Sequence, residues 1–173
     1  MDARDLLIDG IGRSREVCHL VLNGLDADAA NQRPGGDHNS IGWLVWHLAR
    51  QQDAQIARLA GGDQVWVRDG FVDRFALDVP PQSIGFGQTA EQAGKVVIRD
   101  LALLADYVDA ATDATIAYVR GLDPASLDEV IDRSFTPPVT RGVRLVSIVD
   151  DASQHAGQAA YVRGLVAGWR APY

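Results

Sequence analysis

Apolar residues recur at helical spacing in four long stretches of this chain, separated by polar connections that carry glycine and proline. In the first, residues 3–25, the stripe Leu6, Ile8, Ile11, Val17, Leu20, Val21 and Leu25 predicts a helix despite two interior glycines. Pro34, Gly35 and Gly36 mark the polar break that follows. Ser40, a favoured N-cap residue, opens a second helix whose stripe runs Ile41, Leu44, Val45, Leu48, Gln52, Ile56 and Leu59 to a glycine stop. Residues 62–88 show no period. A run this long inside a domain reads as a lid or site wall, or as a surface excursion covering the core with Trp66, Phe71 and Phe75.

Thr89 and Gln92 carry a capping-box signature. From there one long helical arm is predicted through Val97, Leu101, Leu104, Tyr107, Val108, Ala111, Ile116 and Val119 to Gly121, with Asp100 or Asp113 as the place for a kink or restart. A connector with one turn and an extended piece, Val130 to Phe135, leads to Thr140, which caps a fourth helix over residues 141–169. Four amphipathic helices must bury their stripes against one another. The expected fold is all-α, a four-helix bundle with long connections, forming a single domain over residues 1–173.

Composition narrows the function classes. The chain is 47% hydrophobic without any run long enough to span a bilayer, and its N-terminus is acidic where a signal peptide is basic. A cytoplasmic protein is expected. The net charge of −7 argues against nucleic acid or an anionic membrane as partner and leaves a small-molecule substrate. Cys18 is the sole cysteine, so no intramolecular disulfide forms, and its apolar neighbours mark it as a core residue.

Candidate chemistry lies in the fourth helix, in the stretch SIVDDASQHAGQ, Ser147 to Gln158. Asp151 and His155 are four apart and share a face with Ile148 and Ala152, whereas Asp150 points elsewhere, to solvent. A carboxylate near a core needs a compensating cation. Two ligand-type side chains at this spacing either form a structural ion pair or bind one metal ion from one helical face. His47 lies on the Leu44, Leu48 and Gln51 face of the second helix, as a hydrogen-bonded core residue or as a third ligand. Facing helices of a bundle build metal sites from such inward groups, and two His with one carboxylate leave a coordination position open. Gln51 and Asp53 read as solvated or as supporting groups behind His47, and no general base stands out. His19 and His38 read as surface or core residues, Trp43 and Trp46 as packing or dimer-face residues off the His47 stripe, and GFGQ at 85–88 as a hinge.

NSIGWLVWHLARQQD and DDASQHAGQAAYVRGL resemble the helix-two and helix-four motifs of the DinB/YfiT-like superfamily, and the resemblance spans nearly the whole chain. It implies a four-helix bundle, often a homodimer, that holds zinc, nickel or another divalent ion through three inward side chains, here His47, Asp151 and His155. Many relatives have His where this chain has Asp151; a mycothiol-dependent maleylpyruvate isomerase of the family has Glu there and a second, C-terminal domain, so isomerase activity is not implied. The resemblance further implies a metal-dependent enzyme that activates a low-molecular-weight thiol for transfer to an electrophile. Fifteen arginines against one lysine are the bias of a GC-rich coding genome such as an actinobacterial one, in which that thiol would be mycothiol. The competing expectations are a non-catalytic binding bundle, with a closed triad, and a metal-dependent hydrolase.

Overall fold

Side-chain caps place the helices where the apolar period predicts them. In the computed structural model, which describes residues 1–172, α1 (Ala3–Leu22) starts from Asp2, whose carboxylate accepts from Arg4 and Asp5 N. A short α2 (Ala27–Asn31) follows, capped by Asp26. Ser40 caps α3 (Ile41–Ala60), its hydroxyl accepting from Trp43 N at 3.1 Å, and Gly61 ends it at φ 66°. Three short helices, α4 (Val65–Arg68), α5 (Phe71–Phe75) and α6 (Ala90–Ala93), lie in the crossing to α7 (Leu101–Arg120). An antiparallel hairpin, β1 (Val130–Asp132) with β2 (Val139–Thr140), precedes α8 (Arg141–Ala167), which Thr140 caps as expected. No helix among the described residues is long and apolar enough to cross a membrane.

The four long helices form the bundle. α1 packs on α7 and α8, and so does α3, so α1 stands opposite α3 and α7 opposite α8, while α3 and α7 are neighbours. Arg163 of α8 ties the end of α1 in place by donating to Leu20 O, Val21 O and Asn23 O at 2.7, 2.9 and 2.8 Å, satisfying carbonyls that a helix end leaves open.

The third predicted helix is two elements, not one arm. The Thr89–Gln92 capping box is present but caps a single turn, and Asp100 restarts the helix by accepting from Ala102 and Leu103 N. Between them Val96 and Ile98 are buried while Lys95, Val97 and Arg99 are exposed, the alternation of an extended chain. Asn31 holds this stretch from 67 residues away: its amide donates to Ile98 O at 2.7 Å and its carbonyl accepts from Ile98 N at 2.8 Å. The predicted extended piece in the following connector is shorter than Val130–Phe135, with Phe135 exposed beyond the strand.

Residues 62–88 are fastened to the core. Trp66, Phe71 and Phe75 are buried, and their rings lie 5.1, 4.9 and 6.0 Å from that of Tyr107. Asp53 is 3% exposed and not solvated as its polar surroundings in the sequence imply. Its carboxylate accepts from Val65 N, Trp66 N and the Tyr107 hydroxyl at 2.8, 2.9 and 2.9 Å, capping α4 from a neighbouring helix. Arg50, fully buried, lies 3.5 Å from that carboxylate and donates to Ser83 O, Gln64 Oε1 and Tyr107 Oη. Trp46 is also fully buried, with its ring 6.5 Å from that of Trp66, so it forms no dimer face.

Asp53→Ala strands the buried Arg50 charge and two backbone N–H groups. Urea denaturation is expected to show a loss of about 3–5 kcal/mol, as for a broken buried pair; a loss below about 1 kcal/mol, the ceiling for an exposed pair, contradicts this assignment.

Candidate metal centre

His47 on α3 faces Asp151 and His155 on α8, and one potential ligand atom from each lies within 4.8 Å of the other two. The two imidazole centroids are 4.6 Å apart at 78°. The structure thus brings the three sequence candidates together; His19 pairs with Asp109 at 2.8 Å elsewhere and His38 is exposed in its loop.

Hydrogen bonds decide which nitrogens face one another. His47 Nδ1 bonds the carbonyl oxygen of Ile84, which only accepts, so Nδ1 carries the proton and Nε2 keeps its lone pair. His155 Nδ1 likewise donates to Gln158 Oε1 at 2.8 Å. Both imidazoles are set in the tautomer that metal-binding histidines adopt when an acceptor lies behind them. Burial lowers the pKa of His47, which keeps the ring neutral at ordinary pH.

Asp151 completes the donor set. Its Oδ1 lies 3.6 Å from His155 Nε2, too far for a good hydrogen bond, and its Oδ2 is buried without a partner among the described residues. A simple ion pair leaves such an oxygen unexplained, whereas a divalent cation among two imidazole lone pairs and a carboxylate satisfies it. The residues fit a divalent metal. The centre has a closed side and an open one: His47 is 6% exposed, while the Asp151 and His155 side chains are 39% and 18% exposed.

The closed side is built by residues the sequence reading missed or misread. Trp43 is four residues before His47 and therefore on its face; it stacks on the imidazole at 4.7 Å and 21°, and is buried, not a dimer-face residue. Its indole N–H donates to Gln88 Oε1 at 2.8 Å. Gly85 has φ +88°, and a Cβ there would sit 2.7 Å from His47 Nδ1. GFGQ is therefore a wall against the imidazole and not a free hinge. On the open side Gln158 was legible as the Gly-Gln after His155, whereas a backbone carbonyl such as that of Ile84 leaves no mark in a sequence. Cys18 is buried, its thiol pushed up to about 12 by burial, and takes no part in the triad.

Gly85→Ala is expected to weaken zinc binding about 10–100-fold in chelator competition, the usual effect of disturbing the group behind a ligand. Gly157→Ala, with open space at its Cβ position, is expected to leave the affinity unchanged. Equal affinities for the two variants contradict the role of the wall.

No curated protein matches the chain. A crystal structure of a conserved protein from Enterococcus faecalis is similar to it, with 39% identity and a TM-score of 0.92 over 98% of this chain and 99% of that one. The model of the DinB superfamily matches residues 11–159, a span that includes all three triad residues. Bundle, motif order and match agree: this chain belongs to the DinB superfamily.

Proposed function

We propose that the chain is a metal-dependent enzyme that activates a low-molecular-weight thiol for transfer to an electrophilic small molecule. One observation carries this reading: two histidines with their Nδ1–H groups tied back converge with a partnerless carboxylate oxygen. Two imidazoles and one carboxylate suit zinc or nickel. Such a cation, when bound, supplies the positive charge that lowers the pKa of a thiol at its remaining position, so that thiolate forms near neutral pH.

The chain's own residues do the rest. Ile84 and Gln158 hold the imidazoles, Asp151 offsets part of the charge, and Trp43 with Gly85 excludes water from the closed side. The exposure of Asp151 and His155 favours a reacting centre over the closed triad of a non-catalytic bundle. A homodimer belongs to the same proposal; the outer face of α8 offers Val143, Val146, Tyr161 and Leu165 as exposed apolar residues.

Zinc-loaded protein is expected to accelerate the coupling of a small thiol to chlorodinitrobenzene, followed by absorbance. Gln158→Ala should lower the rate about 10–100-fold through loss of His155 orientation. Gln154→Ala, which removes only an exposed bond to Asp150, should not change it. Ester hydrolysis without any thiol coupling would sink the transferase reading in favour of a hydrolase.

A further inference from the structure

The seam between α3 and α8 continues beyond the triad to a second group of side chains. His47 meets Asp151 and His155, while Gln55 meets Arg144, so the two helices run antiparallel along it. At the far end lies a cavity of about 200 Å³ whose lining includes Gln55, Arg58, Asp132, Arg141 and Arg144. A hydrogen-bonded chain runs from it toward the triad and ends at Gln51. Arg144 Nη1 donates to Gln55 Oε1 at 3.3 Å, and Gln55 Nε2 donates to Gln51 Oε1, one turn from His47. Gln51 is 4% exposed, and its Nε2 has no partner among the described residues. Eight residues separate His47 from Gln55, about 12 Å along the helix.

The cavity is basic in a chain whose net charge is −7. Arg141 reaches Glu129 at 2.6 Å and the Tyr118 hydroxyl, yet its Nε is buried and unpaired. Arg144 meets Asp132 only at 3.8 Å. Arg58 is exposed and its side chain holds no ion pair among the described residues. Three guanidiniums against the carboxylates of Asp132 and Glu129 leave one positive charge over, a match for a monoanion. Guanidinium forks bind carboxylates well, and an unpaired buried N–H is costly until an acceptor arrives.

We propose that this cavity binds the carboxylate of the thiol that reacts at the triad. The co-substrate is then a carboxylate-bearing thiol, its acid group on the order of 12 Å from its sulfur, with Gln51 Nε2 donating between the two ends. What happens at sulfur rests on the thiol-transfer reading; the anion site does not. The identity of the thiol thereby depends on charge in the seam and not on the arginine bias of the composition.

Calorimetric titration with ω-mercaptooctanoate and its uncharged analogue ω-mercaptooctanol tests the site, in zinc-loaded and in metal-free protein. The acid is expected to bind the zinc-loaded protein at least about tenfold tighter than the alcohol. That preference should fall to parity in Arg144→Gln and in Arg58→Gln, the second of which, at an exposed residue, removes no side-chain hydrogen bond or ion pair among the described residues and so keeps the fold. An acid preference that zinc does not strengthen, still abolished in both variants, upholds the anion site while sinking the thiol reading. Equal or undetectable binding of acid and alcohol, or a preference that survives in both variants, overturns the anion site.

Discussion

Arg50 and Asp53, a buried pair on α3, hold the 62–88 segment against the bundle, and the closed side of the triad depends on that hold. Burying two charges is costly, and here the cost is offset by hydrogen bonds from two backbone N–H groups and a tyrosine on one side and to a carbonyl, an amide and the same tyrosine on the other. Arg50 grips Ser83 O; the next carbonyl, that of Ile84, accepts the hydrogen bond of His47 Nδ1–H; the next residue is the glycine that lets the chain approach the ring. An electrostatic contact in the core is thus transmitted through three consecutive loop residues to the tautomer of a ligand-type histidine.

The centre is asymmetric for a physical reason. α3 presents His47 between a stacked indole and a fixed loop, so this half is rigid and dry. α8 presents Asp151 and His155 toward solvent, with only Gln158 behind the second histidine. A rigid half suits holding an ion and an open half suits exchanging what binds to it. The arginine cavity lies on the same pair of helices, where Gln55 of α3 meets Arg144 of α8.

What was legible in the sequence was local. The four long helices announce themselves by a 3.6-residue period and their caps, and Asp151 and His155 by their spacing. Trp43 was equally legible, since four residues before His47 means the same face. The restart at Asp100 was legible as one of two places for a break, but the extended stretch before it was not, because Val96 and Ile98 fit a helical stripe as readily as an extended one until Asn31, far away in the chain, takes both backbone groups of Ile98. The solvated reading of Asp53 failed for the same reason: its partners Tyr107, Val65 and Trp66 come from other elements. The loop wall was hidden because its key group is a backbone carbonyl.

The central claim is that His47, Asp151 and His155 hold one divalent ion. Elemental analysis of untagged protein, wild type beside His155→Ala, tests it most directly. About one equivalent of zinc or nickel per chain in the wild type, absent from the variant, is the predicted result. No metal in the wild type, even after reconstitution with zinc or nickel, would contradict it and leave Asp151 and His155 as a polar pair.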